Sequence, residues 1–214
     1  MTIRLEKMIP YPLLEQETSG SGIWEADSVL FERENIYIVE APSGRGKTSL
    51  LSVIYGIRKD YRGTVYLDHD NISELNFRQW SSIRKEKLSY IFQGLELFEN
   101  LTALENIELK NSITHFKSSN EIEAMAGILD IKDFLHRKTG ILSFGQQQRV
   151  AILRALCQPF EMLLADECFS HIDRENSINA YNLILEECKS QNAGLILTSL
   201  NGTEVMKADM RIKL

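Results

Sequence analysis

Short apolar runs recur along the chain at 28–32, 36–40, 63–68, 88–92, 161–165 and 194–199, each the length of a strand. Those at 36–40, 161–165 and 194–199 are close to continuous, the pattern of strands covered on both faces in a parallel sheet. Residues 2–8 alternate instead, with Ile3, Leu5 and Lys7 on one face, which predicts an edge strand; Met210-Arg-Ile-Lys-Leu214 predicts a final one. Helical spacing occupies 48–58, 145–157 and 174–190. Thr102-Ala-Leu-Glu105 and Asn120-Glu-Ile-Glu123 have the form of capping boxes and open two further helices. Ser19-Gly-Ser-Gly22 marks a turn. Strand and helix alternate at both ends, while 95–138 reads mostly helical. The pattern predicts an α/β fold, a parallel-sheet core carrying a helical insert. With no internal repeat and no dividing linker, residues 1–214 read as one domain.

Between the run at 36–40 and the helix at 48–58 stands Ala41-Pro-Ser-Gly-Arg-Gly-Lys-Thr48. A strand, a glycine-bearing turn and a Lys-Thr that opens a helix form the layout of a nucleoside-triphosphate cradle. Backbone N–H groups in such a turn converge on phosphate oxygens, and the helix N-terminus adds partial positive charge. The candidate binding residues are Pro42, Ser43, Gly44, Arg45, Gly46, Lys47, Thr48 and Ser49. Lys47 reaches the outer phosphates, and the Thr48 hydroxyl ligates Mg²⁺. Ala41 stands where the usual pattern has glycine. If positive φ were needed there, its Cβ would cost about 1–2 kcal/mol.

Composition narrows the class further. A chain of 214 residues, 43% hydrophobic and 25% charged, suits a soluble globular protein with a sizeable core. A net charge of −6 with no Lys/Arg-rich block argues against a nucleic-acid partner. Cys157, Cys168 and Cys188 are odd in number and widely spaced, so buried thiols in a reducing compartment are expected in preference to disulfides. No stretch approaches 18 apolar residues and the first residues lack a signal-peptide core, so neither a membrane span nor export by that route is expected. His69, His115, His136 and His171 show no metal-ligand spacing and read as scattered surface residues.

Met162-Leu-Leu-Ala-Asp166-Glu167 is an apolar strand ending in two carboxylates. In a phosphate-binding sheet the first can hold Mg²⁺, directly or through water, and the second can polarise an attacking water. Plain helix-start charges are the alternative, which coupling to the cradle disfavours. Just upstream, Leu142-Ser-Phe-Gly-Gln146 runs into the helix at 145–157. At this point the chain resembles the ATP-binding-cassette ATPases, whose signature loop reads Leu-Ser-Gly-Gly-Gln. Tyr90-Ile-Phe-Gln93 resembles that family's glutamine loop, and Ser170-His-Ile-Asp173 the loop after the second acid. Ile196-Leu-Thr-Ser-Leu200 occupies the place of the switch-histidine segment. These ordered motifs cover nearly the whole chain.

The resemblance implies an ABC ATPase fold: a P-loop NTPase core with a mostly parallel sheet, an N-terminal antiparallel β-subdomain and a helical insert. It implies ATP and Mg²⁺ as ligands, Glu167, Lys47 and Gln93 as catalytic residues, and Thr48, Gln93 and Asp166 around the metal. Ser143, Gly145 and Gln146 would form a second phosphate trap facing the cradle of another subunit. Two head-to-tail cassettes, a homodimer or a heterodimer with another ABC ATPase, would then sandwich two ATP molecules, with Asp173 working across the interface. An aromatic ring after the first strand would stack on adenine, with Tyr11 the first candidate and Trp24 the second. The segment 95–107 resembles the one that receives an integral membrane permease subunit; its apolar residues could instead be the insert's own core. The implied location is cytoplasmic, peripheral on the inner face of the membrane through that partner. Ending at Leu214 without a regulatory extension, the chain is similar in compass to the ATPases of lipoprotein-releasing, macrolide-export and cell-division complexes.

Two departures touch mechanism. Phe144 replaces the first signature glycine and crowds the place where a phosphate approaches. Leu200 replaces the switch histidine, and losing one preorganised donor commonly costs on the order of 10²–10³ in rate. The expectation is a slow ATPase that works on a membrane complex. The alternative is a nucleotide-gated regulatory module with little turnover. A soluble member acting on DNA or ribosomes would need tandem cassettes, a coiled-coil insertion or basic surfaces, none of which the sequence carries.

Overall fold

In the computed structural model, which describes residues 1–15, 18–200 and 206–214, the run Ile36–Glu40 is a strand covered on both faces. Ile38 enters one hydrophobic core, while Tyr37 and Val39 enter another. Along Met162–Asp166 the same alternation sends Leu163 and Ala165 to the first core, and Met162 and Leu164 to the second. Double burial is why these runs carry almost no polar residues.

The strands are β1 (Ile3–Pro10), β2 (Ser28–Phe31), β3 (Ile36–Glu40), β4 (Tyr61–Leu67), β5 (Asp70–Asn71), β6 (Leu88–Ile91), β7 (Met162–Asp166), β8 (Gly194–Ser199) and β9 (Met210–Lys213). The helices are α1 (Lys47–Ile54), α2 (Phe77–Glu86), α3 (Ala103–Thr114), α4 (Ser119–Ile128), α5 (Phe144–Leu156) and α6 (Arg174–Ser190). A five-stranded sheet runs β6-β7-β8-β3-β9 with every pair parallel. A four-stranded antiparallel sheet runs β2-β1-β4-β5. The first core lies between the parallel sheet and α3, α4, α5 and α6. The second joins the sheet's other face to α1, α2 and the antiparallel sheet. This is the ABC ATPase architecture that the motifs imply.

Several sequence expectations need correction. β1 is an interior strand, paired with β2 on one side and β4 on the other, and not an edge. Its alternation breaks at Lys7, which turns left-handed at φ 47° within a bulge and leaves Met8 as the next buried residue. α1 stops at Ile54, short of 58, because Gly56 turns to φ 73°. The fourth helix is capped by Ser118, whose hydroxyl accepts from the Glu121 N–H while Glu121 accepts in return. The box read at Asn120–Glu123 therefore lies inside the helix. Sequence reading missed α2 altogether; its Asn76–Gln79 capping box announces it, but Trp80 is its one buried side chain.

All three cysteines are free and buried. Burial pushes the Cys157 and Cys188 thiols up to about 12, and that of Cys168 up as well. Thiolate is the reactive form. The native protein is therefore expected to resist alkylation by iodoacetamide at pH 8 and to react at all three sites once unfolded, read by mass shift. The linkage has the same sign. Unfolded thiols ionise near about 8.5 while folded ones stay neutral, so stability falls as pH climbs above that value.

Candidate functional site

Neighbouring interior strands of the parallel sheet deliver the site at their C-terminal ends. At the C-terminal ends, Glu40 of β3 pairs with Ser199 of β8, and Asp166 of β7 pairs with Thr198. Ligands of open α/β sheets bind outside such carboxyl ends. After β3 the chain wraps through 41–46 into α1. Gly44 and Gly46 are left-handed, at φ 78° and 95°. A Cβ on Gly46 would also stand 2.5 Å from the Leu13 side chain, so the turn requires glycine there twice over. Ala41 is not among the left-handed residues. Its N–H donates to the Ser199 carbonyl at 3.2 Å, and its replacement of glycine brings no backbone strain.

Lys47 opens α1 almost fully buried. Its ammonium donates to the carbonyls of Ala41 at 2.6 Å and Pro42 at 2.9 Å, and pairs with Glu167 Oε1 at 3.1 Å. Thr48 Oγ1 donates to Gln93 Oε1 at 3.2 Å, and Gln93 Nε2 donates to Glu167 Oε2 at 3.3 Å. Gln93 thus links cradle and second carboxylate from the end of β6.

Asp166 is wholly buried. Thr198 Oγ1 donates to its Oδ1 at 2.7 Å and the Tyr90 hydroxyl to Oδ2 at 3.4 Å. Burial raises the Asp166 pKa, opposed by hydrogen bonds from Thr198 and Thr48, with the neighbouring Glu167 carboxylate adding to the rise. Glu167 sits at φ 47°, a left-handed conformation that costs about 1–2 kcal/mol for a residue with a Cβ. Two partners hold it. Its N–H reaches the Thr198 carbonyl and hydroxyl, each at 3.2 Å, and its carbonyl accepts from Gln148 Nε2 at 3.3 Å.

A cleft of about 260 Å³ opens over these groups, lined by Pro12, Leu13, Ser43, Gly44, Gly46, Lys47, Thr48, Ser49, Gln93 and Glu167. Tyr11 begins the short 3₁₀ turn whose Pro12 and Leu13 form part of the wall, but its own ring is not among the lining groups. Trp24 is buried behind the loop, where its Nε1 donates to the Arg45 carbonyl at 3.3 Å. Pro42 and Arg45 line an adjacent cavity with it.

Ser143, Gly145 and Gln146 lie outside the cleft, at the first turn of α5. There they form a capping box: Ser143 Oγ accepts from the Gln146 N–H at 3.3 Å and Gln146 Oε1 from the Ser143 N–H at 2.9 Å. Phe144 stands beside them, 46% exposed. Asp173 caps α6: Asn176 Nδ2 donates to its Oδ2 at 2.8 Å and the Asn176 N–H to its Oδ1 at 3.0 Å, and these bonds hold its carboxyl below the usual range.

Thr198, Tyr90 and Gln148 were missed from sequence, because the contacts that matter join residues far apart in the chain. One hint exists for Thr198, a hydroxyl near the end of an otherwise apolar strand. Gln148 gives another, a polar side chain on the covered face of α5.

A family model described as ABC transporter matches residues 26–170. The lipoprotein-releasing system ATP-binding protein LolD 1 of Chlorobium chlorochromatii is 32% identical over 87% of this chain and 78% of that protein. The macrolide export ATP-binding/permease protein MacB of Hyphomonas neptunium is 32% identical over 79% of this chain, which spans 27% of its length. Among solved structures, the dimeric form of the bacterial ABC transporter cassette MJ0796 superposes with a TM-score of 0.80 over 99% of this chain and 94% of that one; at 23% identity this shows a shared fold. Its dimeric post-hydrolysis state bound to ADP and Pi aligns with a TM-score of 0.74 and 26% identity over 93% and 88% of the two chains. The chain belongs to the ABC transporter family, as one of its ATP-binding cassettes.

Thr198→Val keeps shape but removes the hydroxyl that serves both Asp166 and the Glu167 N–H. It is expected to destabilise the protein by about 1–3 kcal/mol in urea unfolding, the cost of leaving a buried acceptor short of a donor. Thr198→Ser should retain most of the stability.

Proposed function

We propose that this chain is the nucleotide-hydrolysing subunit of a membrane complex and that two cassettes close around ATP to do mechanical work on a membrane partner. The observation that carries the reading is the convergence of Lys47, Thr48, Gln93 and Glu167 on one cleft, with the buried Asp166 next to Glu167 in the chain. In this reading residues 42–49 cradle the phosphates and Tyr11 takes the adenine. Lys47 meets the outer phosphates, exchanging its Glu167 contact for phosphoryl oxygens. Glu167, released, accepts a proton from the attacking water. Gln93 orients that water through the amide now bonded to Glu167.

The donor set suits a divalent cation. The Thr48 hydroxyl and the Gln93 amide oxygen in the cleft wall, with the buried Asp166 carboxylate close to Thr48, bring together hard oxygens, the chemistry Mg²⁺ selects. Held there, Mg²⁺ would neutralise phosphate charge on the nucleotide. Ser143, Gly145 and Gln146 then serve the phosphate held by a second cassette, which accounts for their place outside this chain's own cleft.

Leu200 is 39% exposed and offers no hydrogen, which supports slow turnover. Together with Phe144 it also favours the second reading, a regulatory cassette that binds ATP and a partner and hydrolyses little. Purified protein is expected to release phosphate from Mg·ATP slowly, and Glu167→Gln to abolish release while trapping an ATP-dependent dimer on gel filtration. Turnover no greater than that of Glu167→Gln, with dimerisation intact, would leave only the regulatory role.

The partner reading rests on the helical insert. No helix among the described residues is long and apolar enough to cross a membrane, so membrane work on this reading needs another chain. Ala103 and Ile107 are indeed the insert's own core, but Phe98, Leu109 and Ile113 face outward. Phe98 is held for display. Asn106 Oδ1 accepts from its N–H at 2.8 Å, while Asn106 Nδ2 at 3.1 Å and Thr139 Oγ1 at 2.9 Å donate to its carbonyl. This fixed apolar surface fits a helix of a permease subunit and implies a location on the cytoplasmic face. Phe98→Asp is expected to abolish co-purification of the permease from detergent-solubilised membranes while the ATPase rate of the isolated chain stays unchanged. Retention of the partner would exclude this surface.

A further inference from the structure

His171 is exposed on the loop between Glu167 and α6. Its ring meets that of Phe144 edge-on, with centroids 4.5 Å apart and planes at 70°. Its carbonyl comes so close to Gly145 that a Cβ there would stand 2.7 Å from it. The imidazole and the first turn of α5 therefore form one surface.

Hydrogen bonding fixes where the ring sits. Gln148 Oε1 accepts from the His171 N–H at 3.2 Å, which sets the orientation of the amide. Its Nε2 donates to the Glu167 carbonyl at 3.3 Å and to Ser170 Oγ at 3.4 Å. Ser170 Oγ accepts from Gln148 Nε2 and lies 2.8 Å from His171 Nδ1, a contact that either ring tautomer can make. A neutral imidazole that accepts at Nδ1 carries its hydrogen on Nε2. In that tautomer the nitrogen left for a ligand is a donor, and the placement of the ring is traced through Ser170 and Gln148 to the backbone of Glu167.

We propose that His171 is a catalytic residue. Its Nε2–H donates to the terminal phosphate held between the first turn of α5 and the cradle of a second cassette, and so supplies across the dimer the hydrogen that Leu200 cannot. The inference rests on the hydrolytic dimer described above and deepens it. No proton moves in this role; the imidazole stabilises charge on the phosphoryl oxygens as the bond to the leaving diphosphate breaks. Phe144 then has a use that a glycine lacks, since its ring edge fixes the plane of the imidazole.

The test uses the full chain with Mg·ATP and two readouts, steady-state phosphate release and ATP-driven dimerisation in a Glu167→Gln background. His171→Ala is expected to lower kcat by about 10²-fold with an unchanged melting temperature. Adding Leu200→His to it should restore most of the rate, because a donor returns from the other side of the phosphate. His171→Leu, which keeps bulk against Phe144, should be as slow as His171→Ala. If His171→Ala turns over like the wild type while Glu167→Gln is dead, the role of His171 is overturned and the hydrolytic dimer stands. Normal turnover in His171→Leu would assign the residue to packing and overturn it equally. If ATP fails to pair Glu167→Gln protomers, the dimer reading itself falls and this inference with it.

Discussion

A carboxylate with no exposed surface, Asp166, sets the terms for the rest of the site. Ionised and unpaired it would be prohibitively costly at that depth, so donors must surround it. Two come from strands, Thr198 of β8 and Tyr90 of β6, and the Thr48 hydroxyl at the start of α1 stands beside them. Each bond also fixes where a strand or helix ends relative to β7. The demands of one buried acid therefore place the cradle helix, the glutamine strand and the tip of β8 in register with one another. Charge and fold are solved together here.

The adjacent Glu167 shows the opposite economy. Its backbone is left-handed and its carboxylate leans on Lys47, both groups nearly withdrawn from water. Removing one member of such a pair strands the other and costs about 3–5 kcal/mol, so the pair is far stronger as a constraint than as a net source of stability. What keeps the strained residue in place comes from outside its own strand, Thr198 on one side and Gln148 on the other. Gln148 is the more consequential of the two. Sitting one turn into α5, it ties the second acid to the very helix whose first turn carries Ser143 and Gly145. Its amide also accepts from the His171 N–H, so the loop after the second acid is fastened to α5 at two points.

Sequence and structure agree best where a signal is local. Continuous apolar runs gave the parallel strands because each face of β3, β7 and β8 meets a different core. The Thr102 box and the glycine turn were legible because cap and turn chemistry is confined to a few neighbouring residues. Errors followed the same logic. β1 looked like an edge because pairing partners are not encoded in alternation. α4 was entered two residues late because both Ser118 and Asn120 stand three residues before a glutamate, and only backbone geometry chooses between them. α2 escaped because its segment is mostly polar and buries a single Trp80, so no apolar run marks it. For the candidate site, residue types and order were visible, but the hydroxyls and amides that hold them were not. A threonine at 198 or a glutamine at 148 acquires meaning only when a residue some 30 or 19 positions away is brought against it.

The two halves of the proposed phosphate site never meet within one chain. Cradle residues line the cleft, whereas Ser143 and Gly145 open onto a different surface. A ligand can favour a paired state only through contacts that exist in that state alone. Phosphate gripped by a cradle on one cassette and by the α5 turn on another meets that condition, and a product without the terminal phosphate does not. Phe144 and Leu200 each remove something from the grip, room in one case and a hydrogen in the other. Neither is among the Asp166 donors or the groups that hold the left-handed Glu167, so on the proposed reading both bear on the closed pair and not on the folded cassette.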